Sequence, residues 1–396
     1  MFRRERAAFW ITLIPGTALF SYLFLRADSP RPEPPAPPSA PPSVPEPKSL
    51  AVVEKEVDPE AGEKSIVAGL GWLERHQFAE GMWSSRSYML GCSGTLCLGK
   101  GGETLDVAVT ALAVLAILES GYAHAKLQRE SAERALRWMA SRQDSEGCFG
   151  PREGRFMYGH ALATLAFARA YRVLGDPMAK VHASRGVRFL EAAQNPGRAW
   201  RYGVRDGEND TSVSVWAGAA LAAAAEIEIE VRPSAVSGLL AWLDEVTGPL
   251  DCEVSYLRRG GGPGSIEGRN DHFDPNAALT ALAAVVRFRF GTAASDRRLR
   301  EAVRALARNL PVWDPRRTSV DFVYWFAGAR AVTLLAKPGD EIRRDWCVRS
   351  RRLLTAHQRE VDCTRGSWDP IDKWGEQGGR VYATAMNVLT LSLARD

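Results

Sequence analysis

From about residue 63 to the end, two apolar patterns alternate along the chain. The first is amphipathic and closes on a bulky pair followed by glutamine: Trp72 and Leu73 before Gln77, Trp138 and Met139 before Gln143, Phe189 and Leu190 before Gln194. Leu353 and Leu354 before Gln358 repeat it, Trp242 and Leu243 before Thr247 keep the register, and Ala305 and Leu306 before Leu310 keep it most weakly. In the first three copies an aromatic follows six residues after the glutamine, at Trp83, Phe149 and Trp200; Trp368 follows Gln358 after a longer turn. The second pattern is rich in Ala and Leu on nearly every face, over residues 105–118, 157–173, 211–227, 275–290, 320–335 and 381–394.

Apolar character all round a helix means burial on both sides, whereas a charged stripe means one face in water. The first kind carries such stripes, as at Glu133, Arg134 and Arg137 or Arg297, Arg298, Arg300 and Arg304. Six helical hairpins follow, with inner helices inside a ring of outer ones. Their spacing of roughly fifty to sixty-five residues is too long and irregular for TPR or HEAT arrays. Open solenoids need polar capping repeats. Here both terminal repeats carry the motif, so the first is expected to pack on the last and close the ring.

A glutamine amide at an outer helix's C-terminus is suited to bond the free carbonyls there and the backbone of the following turn. The aromatic is expected to stack over that turn. Gln77, Trp83, Gln143, Phe149, Gln194, Trp200, Gln358 and Trp368 are therefore read as structural.

These segments resemble the QW motifs of the prenyltransferase/squalene-oxidase-repeat superfamily, over about residues 63–394. That superfamily includes squalene-hopene-type cyclases, protein prenyltransferase β subunits and membrane-anchored bacterial members of unknown role. The stretches around Tyr158 and His160, Asn195 to Tyr202, Asp210 and Arg380 are most similar to the last group. The resemblance implies an all-α fold, an (α/α)6 toroid. Its known chemistries transfer poorly: the chain has no Asp-x-Asp-Asp run of the kind that protonates squalene, and Asp251–Cys252 and Asp362–Cys363 are adjacent rather than spaced as in the zinc site of the prenyltransferases.

The N-terminus changes the picture of where the toroid works. Arg3, Arg4 and Arg6 precede an uncharged run over residues 7–25 that has no clean cleavage site. This reads as a retained signal anchor, N-terminus in the cytoplasm and the rest outside. Residues 29–47 are about half proline and read as an extended spacer. The expected organisation is anchor at 1–28, linker at 29–60 and toroid at 61–396. The 51 basic and 47 acidic residues nearly balance, with no basic stripe, so no nucleic-acid partner is expected. Outside the cytoplasm the six cysteines, five of them in rim loops, are most simply read as forming one or more disulfides.

Candidate chemistry gathers where the inner helices begin, because helix N-termini present free N–H groups and positive dipole ends. The polar residues there are Asp106, Tyr158, His160, Asp210, Thr211, Asp274, Asn276, Asp321, Tyr324, Arg380 and Tyr382. Capping accounts for Asp210, Asp274 and Asp321; Tyr158, His160, Tyr324, Arg380 and Tyr382 are left for a ligand or for the core. A zinc site built from Cys252 or Cys363 with His160 or His272 is the less favoured alternative, so neither a metal nor a cofactor is expected. Gly260 to Gly264 read as a flap over the mouth.

The expected function is binding of an elongated or amphiphilic ligand (isoprenoid, lipid, glycan or peptide) at the rim and bore. Two other readings stay open: a cyclase-, transferase- or lyase-like enzyme, and a protein-binding scaffold. The topology is directly testable. A reporter fused after Asp396 is expected to be active only outside the cytoplasm, and cytoplasmic activity would overturn the placement.

Overall fold

The computed structural model describes residues 59–102, 104–261, 277–314 and 319–395. The span expected at residues 7–25 and the proline-rich segment lie outside them. No described helix is long and apolar enough to cross a membrane.

Among the described residues the chain forms twelve α-helices and one short 3-10 turn, Tyr88–Gly91, with no strand. Six are outer: α1 (Pro59–Arg75), α3 (Lys126–Ser141), α5 (Pro177–Ala193), α7 (Pro233–Val246), α9 (Arg297–Arg308) and α11 (Glu341–Ala356). Six are inner: α2 (Asp106–Glu119), α4 (Phe156–Leu174), α6 (Thr211–Ala225), α8 (Ala277–Arg289), α10 (Phe322–Leu335) and α12 (Gly375–Leu393). The first helix thus begins within the last residues read as linker.

The inner helices pack in sequence order, α2 on α4, α4 on α6, α6 on α8, α8 on α10 and α10 on α12. The series then returns, because α12 packs on α2 while α1 packs on α11 and α12. The ring is closed, as the complete motifs of both terminal repeats require. Every residue of α2 from Ala108 to Leu118 is buried, whereas α9 buries only Leu299, Ala302 and Leu306. Inner and outer helices therefore differ as their residue patterns demand.

The motif glutamines hold neighbouring hairpins together, through a partner that differs from expectation. Gln77 Nε2 donates to Gly81 O in its own turn (2.7 Å) and to Ser131 O on the next outer helix (2.9 Å). Gln143 spans Gly147 O and His182 O, and Gln194 spans Arg198 O and Ala235 O. Gln358 spans Gly366 O and Ser65 O, both at 2.8 Å, joining the last outer helix to the first. The free carbonyls of the outer helix are met instead by the aromatic. The indole N–H donates from Trp83 to Leu73 O, from Trp200 to Leu190 O and from Trp368 to Leu354 O, at 2.7–2.8 Å. All three indoles are fully buried. Phe149 has no such donor and only packs.

Two glycines make the closure possible. Gly366 has φ 95°, and a Cβ there would lie 2.1 Å from Ala68 O on the first helix. Gly379 has φ 68° and interrupts α12, where a Cβ would crowd Gly101 N, Ser85 O and Gly99 O of the first repeat. Only glycine combines this conformation with so close an approach.

Replacing Gln358 with Ala strands two carbonyls and is expected to cost about 1–2 kcal/mol. A similar loss is expected for Gln143→Ala, although Gln358 and Ser65 are 293 residues apart. Urea unfolding should remain a single transition in both variants. An unchanged midpoint for Gln358→Ala alone would mean that the ring is open at the α11–α1 seam.

Candidate functional site

The two ends of the ring are built differently. At the inner-helix N-termini the expected site residues are held by internal partners. His160 is buried, accepts at Nδ1 from Phe149 N–H (3.1 Å) and donates from Nε2 to Gly186 O (3.1 Å). Other repeats put a hydroxyl in the same role: Thr110 receives Trp83 N–H, Ser214 receives Trp200 N–H, Thr280 receives Val254 N–H and Thr384 receives Trp368 N–H. His160 is thus the second repeat's version of a strut between the inner helix and the aromatic turn.

The others also turn inward. Asp210 caps α6 through Val213 N–H (2.8 Å) and takes Tyr256 OH (3.3 Å) and Ser212 OH (2.8 Å). Tyr158 bonds Ser212, and Tyr202 bonds Tyr256. Burial pushes the Asp210 carboxyl up, with its hydrogen bonds and Arg201 opposing. Asp321 caps α10 through Tyr324 N–H and pairs with Lys373 at 2.7 Å, while Tyr324 OH donates to Asn309 O.

Arg380 binds Leu98 O, Ser367 Oγ and Asp369, so it ties the first rim loop to the last. Tyr382 donates to Asp372 (2.7 Å). Asp372, which the sequence reading passed over, is fully buried beside Asp321, and its carboxyl is pushed up to about 7 by burial first and by Asp321 second. His272, Asp274, Asn276 and most of the expected flap lie outside the described residues; its first two residues, Gly260 and Gly261, complete a turn closed by Gly261 N–H on Arg258 O.

At the other end, where the inner helices finish, lies a small pocket of about 60 Å³, partly open to solvent. Each inner helix contributes an apolar side chain: Leu112, Leu165, Trp216, Leu282, Phe326 and Leu389. Trp216 and Phe326 stack with centroids 5.9 Å apart, an aromatic pair that the alanine-rich helices gave no reason to expect. Charged residues in the C-terminal halves or at the ends of the inner helices crown the pocket. Glu226 pairs with Arg169 (2.9 Å), Arg289 (2.5 Å) and Arg172, and Glu119 pairs with Arg330 and Arg169.

Four guanidiniums therefore share two carboxylates. Burial alone would push Glu119 up, but Arg330, Arg169 and Arg289 together hold its carboxyl below the ordinary value. Burial lowers Arg289, and the neighbouring arginines add to this against the pull of Glu226. Arg169 Nε is buried and faces Glu119 at 3.6 Å without a hydrogen bond. The expected mouth lay at the opposite end; the visible signal here is a charged residue at the end of mainly apolar helices, Glu119, Arg172, Glu226 and Arg289.

The expected disulfides between rim loops are absent, since all six cysteines are free thiols. Cys148 and Cys252 are buried in their own loops and Cys347 lies on α11. Cys92, Cys97 and Cys363 instead gather around His76, the four possible ligand atoms lying within 4.8 Å of one another. This is a histidine the sequence reading did not consider, and neither His160 nor Cys252 is part of the group.

No protein-family model matches the chain, and no curated protein matches it. Solved structures do. A variant of the type II terpene cyclase MstE from Scytonema, in complex with geranylgeranyl dihydroxybenzoate, aligns with TM-score 0.57 at 15% identity, over 85% of this chain and 98% of that one. An inactive variant of an α-1,6-mannanase of Salegentibacter, bound to α-1,6-mannotriose, aligns with TM-score 0.57 at 11% identity, over 85% and 98%. An α-amylase from Clostridium perfringens aligns with TM-score 0.58 at 9% identity, over 84% and 98%. The shared feature is the α/α-toroid fold.

The burial of His160 yields a pH prediction. Its pKa falls from 6.5 to about 3, chiefly through burial. Between these values the unfolded chain binds a proton that the folded chain refuses. Stability is therefore lost as pH drops below 6.5, by up to about 1.4 kcal/mol per unit. His160→Thr, the residue other repeats use, is expected to remove this part of the acid sensitivity. An unchanged slope of urea midpoint against pH, relative to wild type, would contradict it.

Proposed function

We propose that the toroid binds an anionic amphiphile at this end of the bore, its head against the arginine crown and the adjoining apolar part against the wall of the pocket. The observation that carries this reading is the charge imbalance at the pocket mouth: Arg169, Arg172, Arg289 and Arg330 against Glu119 and Glu226 alone. Guanidiniums suit carboxylate and phosphate oxygens, and surplus donors in a partly buried setting gain from a further acceptor. The wall offers six aliphatic or aromatic side chains for a tail. The fold has a precedent for such a ligand, since geranylgeranyl dihydroxybenzoate joins an isoprenoid tail to a benzoate head. Anchoring by residues 7–25 outside the cytoplasm belongs to the same proposal and would place the mouth where membrane-derived amphiphiles are at hand.

Neither pocket carboxylate is arranged as a proton donor: Glu119 is held ionised and Glu226 is shared among three arginines. This favours binding over turnover at this end. A second reading, an enzyme, rests on Asp372, the described carboxyl poised to carry a proton near neutral pH.

One experiment addresses both. Calorimetric titration with a long-chain fatty acid should show binding, and the matching alcohol should bind more weakly. Arg289→Gln leaves Glu226 paired with Arg169 and Arg172, so the fold should persist. It is expected to weaken the acid about tenfold or more, the value of a charged hydrogen bond of roughly 1.5–3 kcal/mol, and to leave the alcohol unchanged. Equal affinity for acid and alcohol would overturn the anionic-head assignment. Recovery of a converted isoprenoid acid, abolished in Asp372→Asn, would favour the enzyme.

A further inference from the structure

We propose that His76, Cys92, Cys97 and Cys363 bind one zinc ion, which staples the first repeat to the last and locks the ring. The donor set lies at the closure seam. His76 directly follows α1, Cys92 and Cys97 lie in the α1–α2 loop, and Cys363 comes from the α11–α12 loop, 287 residues from His76. No single hairpin contains the site.

The nitrogen–sulfur distances fit a tetrahedral centre. Zinc–sulfur bonds of about 2.3 Å and zinc–nitrogen bonds of about 2.0–2.1 Å at tetrahedral angles put each sulfur roughly 3.6 Å from the nitrogen. His76 Nε2 lies 3.6 Å from Cys92 Sγ, 3.4 Å from Cys97 Sγ and 3.3 Å from Cys363 Sγ. A disulfide explains this less well. It would join two of the three sulfurs and leave the third facing the imidazole, whereas a metal uses all four groups at once.

The surrounding shell orients these donors. His76 Nδ1 bonds Trp72 O at 2.8 Å; with the proton on Nδ1, the Nε2 lone pair points at the three sulfurs. Trp72 stacks on the imidazole with centroids 4.2 Å apart, fixing its plane. Tyr88 OH donates to the carbonyls of Cys97 and Leu98, and Cys97 N–H donates to Cys92 Sγ (3.3 Å), a bond that favours thiolate. Asp362 is turned to φ 54°, an uncommon conformation that sets the direction of the next residue, Cys363. Arg380 donates to Leu98 O, and its charge suits a centre of net charge −1 formed by Zn²⁺ and three thiolates.

Four protein ligands leave no open position, so the site is structural. Thiolate and imidazole donors select zinc over the oxygen-seeking cations. Each thiol loses its proton to solvent on binding, and no electron is transferred. A clip between residues so far apart in sequence acts on the ring as a whole. This inference is independent of the ligand assigned to the bore.

The test uses the full-length chain purified in mild detergent, with reductant and without chelator. Elemental analysis is expected to give one zinc per chain. Replacement by Co²⁺ alone should give the visible d–d and sulfur-to-metal charge-transfer bands of a thiolate-rich tetrahedral site. Cys92, Cys97 and Cys363 should resist alkylation until zinc is removed. Cys363→Ser should weaken zinc by at least about 100-fold, the upper end of the loss from an outer-shell change, and Cys148→Ser should not. If Cys363→Ser does not fold, the wild-type cobalt spectrum and alkylation pattern decide alone. Failure of the reduced chain to bind added Zn²⁺ or Co²⁺, or a native mass showing a disulfide among the three cysteines and no metal, would overturn the site.

Discussion

A single side-chain amide, used at each well-formed repeat, sets the architecture. Each motif glutamine donates at once to its own turn and to a carbonyl on the following outer helix. The step from one hairpin to the next is therefore fixed by hydrogen bonds that are directional, whereas the apolar packing beneath them is not. Repeated around the chain, the step returns Gln358 to Ser65 and leaves no free end. Because each outer helix runs back between two inner ones, the six inner helices run in one direction, so one rim collects their N-termini and the other their C-termini. The difference between the two ends of the bore follows from that.

Much of this was legible in the residues, because the pattern that encodes it is local. Bulky pair, glutamine and aromatic fall within about eleven residues, and the all-apolar runs mark the inner helices. The division of labour inside the motif was not legible. Glutamine bonds the following turn as its position suggests, but the helix carbonyls go to Trp83, Trp200 and Trp368, and glutamine's second bond reaches across to the neighbour. A partner some forty to fifty residues away leaves no trace in local spacing.

The same limit governs the sites. His160 looked chemical because a histidine is conspicuous in a buried helix, and only the equivalence with Thr110, Ser214, Thr280 and Thr384 reveals a strut. Arg380 looked free at a helix start, yet it binds a loop 282 residues away. His76 is harder to find: Cys92 and Cys97 follow it as a pair at zinc-ligand spacing, but the third cysteine lies 287 residues away. The crown was the nearest to readable: Glu119, Arg169, Glu226, Arg289 and Arg330 stand in the C-terminal halves, or at the ends, of helices that are mainly apolar.

Architecture alone does not account for that crown. Arginine is favoured at helix C-termini, where the dipole ends are negative, and this explains why several gather there. Glutamate is disfavoured at the same place, and Glu119 and Glu226 are held there only by the guanidiniums around them. Two carboxylates offer roughly eight acceptor sites, while four guanidiniums carry about twenty donors. Arg169 Nε is buried and faces Glu119 at 3.6 Å, beyond hydrogen-bond distance, so its pairing is ionic only and leaves room for a closer acceptor. At the opposite rim, Asp210, Asp321, Arg380 and Tyr382 are paired with neighbours in the fold. A ring that spends its polar groups on itself at one end and keeps an excess of donors above an apolar bore at the other is set up to receive an acceptor there.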